Sequence, residues 1–142
     1  MFEGIITPIV TPFNRDKEES INYEATEKLI NYLIEHGVKG IFILGSNGEF
    51  HVVDEDEKVE FAKKVVEIVN KRVPVFVGTG CCSTRATVRL SKKMEEIGAD
   101  ALSVITPYFL KPTDENLYAH YKAVAQSVNI PIVLYNIPQD VH

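Results

Sequence analysis

Gly40-Ile41-Phe42-Ile43-Leu44-Gly45-Ser46-Asn47-Gly48-Glu49 is the stretch that decides the fold. Its first half is an apolar run containing isoleucine and phenylalanine, which is typical of a buried strand. Its second half is a small polar loop, and a helical pattern follows from Asp54. Loops that lead from a strand to a helix carry the active sites of many α/β enzymes, so this loop is a candidate ligand site.

The loop offers groups that suit an anion. Two glycines let the backbone turn tightly and approach a ligand. Ser46 and Asn47 add a hydroxyl, an amide and N–H groups, which could receive a carboxylate. The loop can equally be a plain turn before a helix, because Gly, Asn and Ser mark turns generally.

The same strand and helix unit recurs along the whole chain. The strand-like apolar runs cover Ile5 to Val10, Ile41 to Leu44, Val75 to Val77, Ala101 to Ile105 and Ile132 to Tyr135. Helical patterns fill the gaps, and a unit of roughly 30 residues predicts a parallel sheet built from βαβ crossovers. No linker divides the 142 residues, so we expect one domain.

Capping residues predict where the helices begin and end. We expect Ser20 to cap the first helix and Gly37 to end it. We expect a second helix to begin at Asp54, which forms a capping box with Glu57, and to end before Pro74. We expect a third helix from Ser83 to Ile97, and a fourth from Thr113 to the Asn129-Ile130-Pro131 stop.

Two architectures fit this repeat. A five-stranded doubly wound sheet matches the length, whereas a TIM barrel has eight units and about 250 residues. However, only seven residues follow Tyr135, too few for the helix that would cover a doubly wound sheet. Each strand also ends in a polar cluster, and a barrel gathers every carboxyl end of its strands around one cavity. The pattern therefore favours a parallel barrel that is incomplete in this chain.

Composition narrows the class of function. The formal charge of −5 arises from interleaved acidic and basic residues, which leaves no basic stripe for nucleic acid. No apolar stretch is long enough to span a bilayer, and the start lacks the basic residues of a signal peptide, so we expect a cytoplasmic location. Cys81 and Cys82 are adjacent, which argues against a disulfide framework. The four histidines show no metal-ligand spacing and are expected at the surface.

The strand-end clusters resemble those of one family, the dihydrodipicolinate synthase and N-acetylneuraminate lyase family of Schiff-base class I aldolases. The matching motifs, in chain order, are Thr11-Pro12-Phe13, Gly45-Ser46-Asn47-Gly48-Glu49, Gly78-Thr79-Gly80, Thr106-Pro107-Tyr108 and Tyr135-Asn136-Ile137-Pro138. The resemblance covers the whole chain and implies a homo-oligomeric (β/α)8 TIM barrel with a helical C-terminal extension. Residues 1–142 would be its N-terminal portion, with about five of eight strands and four helices.

The resemblance also implies a chemistry. A lysine amine attacks the keto carbon of pyruvate, and the resulting imine supports C–C bond formation or cleavage with an aldehyde, without metal or cofactor. It implies that Ser46, Asn47 and Gly48 bind the substrate, with N–H groups of the loop holding its carboxylate. It implies that Tyr135 is the acid/base, with the Ser46 hydroxyl as relay.

The nucleophile is expected elsewhere. In the family the lysine ends strand six, beyond His142, so we expect this chain to be inactive alone. Lys111 is near the correct rim, but a loop lysine of this kind is expected to be exposed and protonated. Lysines on helical segments, among them Lys58, are expected to carry solvated charges.

Two departures from the family pattern bear on the substrate. Phe109 stands where the synthases commonly have a second tyrosine, and Gln139-Asp140-Val141-His142 stands where they usually have an arginine. Both favour the alternative of a related aldolase or dehydratase acting on a sugar acid such as 2-keto-3-deoxygluconate. An alternative of another class is a non-catalytic half-barrel or a flavodoxin-like anion-binding module. An open sheet would also expose unpaired edges, so we expect the chain to self-associate or to pair with the absent portion of the barrel.

Overall fold

The computed structural model describes residues 2–137. Within them the strands are β1 (Ile6–Pro8), β2 (Gly40–Ile43), β3 (Val75–Gly78), β4 (Ala101–Ile105) and β5 (Ile132–Tyr135). The helices are α1 (Tyr23–Glu35), α2 (Glu55–Val69), α3 (Thr84–Glu96) and α4 (Asp114–Ala125). The predicted alternation of five strands and four helices is confirmed.

Strand order separates the two candidate architectures. All five strands are parallel and lie in the order β1-β2-β3-β4-β5, each bonded to the next along the chain. Successive helices also pack on one another, α1 on α2, α2 on α3 and α3 on α4. A doubly wound sheet reverses its strand order at a switch point, so that alternative and the flavodoxin-like module are wrong. The fold is half of a (β/α)8 barrel.

The two faces of the sheet differ because side chains alternate along a strand. Residues such as Ile41, Val77 and Leu102 point toward the helices and are fully buried in the main core. The opposite, concave face carries Phe42, Phe76 and other residues that line a shallow apolar depression. This concave face is the inner wall of the half-barrel.

The predicted helix starts are confirmed with one exception, and α2 and α4 end earlier than expected, at Val69 and Ala125. Gly37 follows α1 with a positive φ of 89°, and the Asp54 N–H donates to Glu57 Oε2 at 3.3 Å in the capping box of α2. Ser20 does not cap α1. Instead Asn22 Oδ1 accepts the Ala25 N–H at 2.8 Å, because Ser20 is held in a local loop by the Asp16 side chain.

Two residues expected in solvent are buried. His120 on α4 is 3% exposed, and its Nδ1 lies 2.9 Å from Thr84 Oγ1 at the start of α3. Lys58 on α2 is 9% exposed, and its ammonium lies 5.9 Å from the centroid of the Phe50 ring. Long or amphipathic side chains can bury their apolar parts against a neighbouring loop or helix, which helical periodicity alone does not show.

Candidate active site

The carboxyl ends of the five parallel strands place their loops along one rim. Here the Tyr135 hydroxyl at the end of β5 donates to Ser46 Oγ, after β2, at 3.3 Å. The two residues are 89 positions apart in sequence, and both side chains are half-buried. The structure therefore brings together the two residues to which the resemblance assigns catalysis, while their roles stay a prediction.

The loop after β2 forms a single 3-10 turn over Ser46–Gly48. Its own geometry uses two N–H groups, since Gly48 N donates to Gly45 O and Glu49 N donates to Ser46 O, each at 3.0 Å. Within residues 2–137 the N–H groups of Ser46 and Asn47 have no protein acceptor. They are the groups that can receive an anion, whereas the N–H of Gly48 is already engaged.

Buried contacts from the ends of the neighbouring strands hold this loop in place. The Thr11 hydroxyl, at the end of the first strand segment, donates to Gly48 O at 2.7 Å. Leu44 adopts a positive φ of 56° directly before the loop, a conformation uncommon for residues other than glycine. A Cβ on Gly78 would lie 1.9 Å from Leu44 O, so only glycine lets the end of β3 pass this carbonyl. The loop is therefore set by the two neighbouring strands as well as by its own turn.

Tyr108 lies beside the loop in a largely apolar setting. Its ring meets Phe50 edge to face, with centroids 5.6 Å apart. Burial, together with the nearby Cys82 thiol, raises the pKa of Tyr108 to about 12, so its phenol stays protonated at neutral pH. Burial likewise raises the pKa of Cys81. Both cysteines are free thiols, and Cys81 is poorly suited to act as a thiolate.

Other predicted residues lie apart from this contact. Lys111 is exposed in the loop after β4. Phe109 is 91% exposed and has a positive φ of 79°, so its ring points away from the packed rim. Pro138, the final residue of the last motif, and the stretch 139–142 with Asp140 lie outside the described residues.

Sequence reasoning missed the residues that support the site. Thr11 belongs to a motif that marks the strand end, but its bond to Gly48 O depends on how two loops meet. Phe42 and Phe50 are two of the apolar residues around the loop, and nothing in their spacing signals contact with Tyr135 and Tyr108.

Two further findings concern the chain from residue 2 to 137. None of its helices combines the length and apolar character required to cross a bilayer. No group of three or more His, Cys, Asp or Glu side chains in this part of the chain is arranged to hold a metal ion.

Residues 1–141 match the model of the dihydrodipicolinate synthetase family. The 4-hydroxy-tetrahydrodipicolinate synthase of Clostridium perfringens (strain SM101 / Type A) is 44% identical over 138 residues, which are 97% of this chain and 46% of that protein. The chain spans about half the length of the curated relatives it matches.

Solved structures show the same likeness in three dimensions. The chloride-inhibited dihydrodipicolinate synthase from Acinetobacter baumannii, complexed with pyruvate, superposes with a TM-score of 0.95 at 39% identity, over 99% of this chain and 48% of that one. A prophage protein of the dihydrodipicolinic acid synthase family from E. coli K12, also in complex with pyruvate, has a TM-score of 0.95 at 39% identity, over 99% and 47%.

Proposed function

Because the chain belongs to the dihydrodipicolinate synthetase family, we propose that its rim serves a pyruvate-dependent aldolase reaction, in which a 2-keto acid and an aldehyde are joined or separated. The observation that carries the proposal is the hydrogen bond from Tyr135 to Ser46 at the carboxyl ends of β5 and β2. It supports the proposal because a phenol hydroxyl lies within hydrogen-bond distance of a loop whose Ser46 and Asn47 N–H groups have no acceptor among the described residues. The pyruvate in two related structures supports the substrate class.

The first step is capture of the substrate's carboxylate. The N–H groups of Ser46 and Asn47 point out of the 3-10 turn without a protein acceptor among the described residues. Neighbouring N–H groups at the start of such a turn form a local anion site. We assign the carboxylate to these two groups, with Gly48 keeping the turn compact through its N–H bond to Gly45 O.

The second step is proton transfer. Conversion of the keto group to an imine releases its oxygen as water, which requires a proton. The Tyr135 phenol can donate one and recover it through Ser46 Oγ, which lies within hydrogen-bond reach. We therefore assign Tyr135 as the acid/base and Ser46 as its relay.

The nucleophilic lysine is proposed to lie outside this chain. In residues 2–137 Lys111 is exposed to solvent, and the Lys58 ammonium lies 5.9 Å from the centroid of the Phe50 ring. We propose that residues 1–142 are the N-terminal portion of one barrel domain, which works in a homo-oligomer in the cytoplasm. This portion would hold the substrate without forming the imine.

Two substrate classes were predicted, pyruvate with an aldehyde and, as the alternative, a sugar acid. Relatives named as synthases support pyruvate with an aldehyde. The synthase from Clostridium perfringens is 44% identical to this chain, although Phe109 stands where the resemblance implies a second tyrosine. Pyruvate as the keto acid is common to both substrate classes, so it is the ligand with which to test the site.

A titration of the isotopically labelled chain with pyruvate tests the anchor. We expect saturable shifts of the Ser46 and Asn47 amide resonances in proton–nitrogen NMR spectra. The neutral analogue pyruvamide is the matched control, because it keeps the ketone and lacks the carboxylate. Equal shifts with pyruvamide, or shifts elsewhere with pyruvate, would contradict the assignment.

Reductive trapping tests whether the nucleophilic lysine lies outside this chain. Chain incubated with pyruvate and sodium borohydride should show no added mass in an intact-protein mass spectrum. An adduct mapped by peptide analysis to Lys58 or Lys111 would place the nucleophile within this chain and overturn that part of the proposal.

A further inference from the structure

We propose that Phe42 is a positioning residue that fixes the Tyr135 ring relative to the loop after β2, Gly45 to Glu49. Phe42 offers no group that can exchange a proton, so its role is geometric. Its ring lies against Tyr135 on one side and against Gly45, the residue before Ser46, on the other. The consequence for substrate binding rests on the proposed function, whereas the geometric role does not.

The first contact is with the acid/base. The Phe42 and Tyr135 rings meet edge to face, with centroids 6.0 Å apart and planes at 88°. Such pairs have a preferred geometry and resist rotation of either ring. The orientation of the Tyr135 ring determines where its hydroxyl lies, and that hydroxyl is 3.3 Å from Ser46 Oγ.

The second contact is with the loop. A Cβ built on Gly45 would lie 2.9 Å from Cζ of Phe42 and 3.0 Å from Cε1. Gly45 has a φ of −85°, which any residue can adopt. The glycine is therefore favoured by the Phe42 ring and not by the backbone conformation, and this ring is one of the groups that limit how closely the loop approaches the sheet.

Phe76 provides a matched control. It is paired with Phe42 in the register of β2 and β3, so it lies on the same concave face one strand away. Its ring meets Phe2, with centroids 4.7 Å apart, and not Tyr135. Replacing Phe76 by leucine removes the same ring atoms from the same face without touching the Tyr135–Ser46 contact.

The experiment compares Phe42→Leu with Phe76→Leu, using ring carbon and proton NMR signals of Tyr135 and the pyruvate titration. In Phe42→Leu we expect a changed Tyr135 ring shift, loss of the Tyr135–Ser46 nuclear Overhauser contact, and pyruvate affinity lowered about two- to tenfold. Phe76→Leu should keep all three at their original values even where it lowers the melting temperature. Unchanged Tyr135 signals in Phe42→Leu, or equal changes in Phe76→Leu, would overturn the proposal.

A double-mutant cycle tests the loop contact separately. Gly45→Ala should displace the Ser46 and Asn47 amide resonances strongly in the original chain and weakly in Phe42→Leu, because the smaller side chain leaves room for the methyl group. Additive effects would contradict the assigned contact. If the original chain binds no pyruvate, the proposed carboxylate site fails, while the Tyr135 signals and this cycle still decide the role of Phe42.

Discussion

Thr11 shows how one hydroxyl can shape the rim. It is 4% exposed, and its Oγ1 donates to Gly48 O at 2.7 Å, linking the first strand end to the loop after the second. Thr11→Val keeps the shape of the side chain and leaves that carbonyl without its donor. We expect the free energy of unfolding to fall by about 1–3 kcal/mol, measured by urea denaturation, with faster amide hydrogen exchange in the loop.

Thr26→Val is the control for this effect. Thr26 is fully buried in α1, and its hydroxyl donates to Asn22 O at 2.8 Å, a contact within the first turn of that helix. The substitution should cost less stability, because Asn22 O keeps its hydrogen bond from the Thr26 N–H, and it should leave exchange at Gly48 and Glu49 unchanged. If both variants accelerate loop exchange equally, the Thr11 bond does not act locally.

For single residues, the sequence predicts the polar side chains of the site better than the residues that hold them in place. Ser46 and Tyr135 could be expected at one rim because parallel strands present their carboxyl ends together. The left-handed backbone of Leu44 and the need for glycine at position 78 could not be predicted. Both arise because the end of β3 passes close to the Leu44 carbonyl. Phe42 is read from sequence only as an apolar strand residue.

At the scale of elements, His120 makes the packing of α4 on α3 sensitive to acid. Burial lowers the pKa of His120, and within the described residues its Nε2 has no hydrogen-bond partner. A folded-state pKa below the unfolded value of 6.5 means that the unfolded chain binds the proton more readily. Stability should therefore be full above pH 6.5 and decrease as the pH falls below it.

Thermal unfolding at pH 7.5 and pH 5.5 checks this expectation. His120→Gln should lower stability at both values and flatten the difference between them. Glu55 does not confound the comparison: its hydrogen bonds to Arg89 and Lys93 lower its pKa from 4.5 to about 2, so it titrates under more acidic conditions. A pH difference that survives in His120→Gln would assign the effect to another group.

The elements themselves were predictable, with errors confined to local detail. Apolar runs bounded by glycine and proline predicted every strand, because a buried parallel strand needs continuous apolar residues. The start of α1 was misplaced because Ser20 and Asn22 are both good caps, and the Asp16 side chain engages Ser20. The burial of His120 could not be predicted from its own helix, since the covering residue Thr84 belongs to another.

For the whole molecule, the open concave face predicts self-association. Val133 is 43% exposed on β5, and both β1 and β5 end the sheet within the described residues. Exposed apolar edge strands pair readily with other chains. Sedimentation of the 142-residue chain at micromolar concentrations should show species heavier than a monomer that increase with concentration.

Val133→Lys should shift this equilibrium toward the monomer, because a charge on an edge strand opposes pairing. Val10→Lys is the matched control, since Val10 is 52% exposed and lies outside the strands. A compact monomer for the unaltered chain across the concentration range would contradict the expected association.

The sequential strand order also governs how the chain can acquire its structure during synthesis. Each strand pairs with the one made just before it, so partners such as Ile6 and Gly40, or Leu102 and Ile132, are only about 30 residues apart along the chain. Short separations keep loop-closure entropy low and favour rapid folding. The half-barrel can therefore grow one strand and helix at a time as it leaves the ribosome, and the Tyr135–Ser46 contact can form only after β5 has joined the sheet.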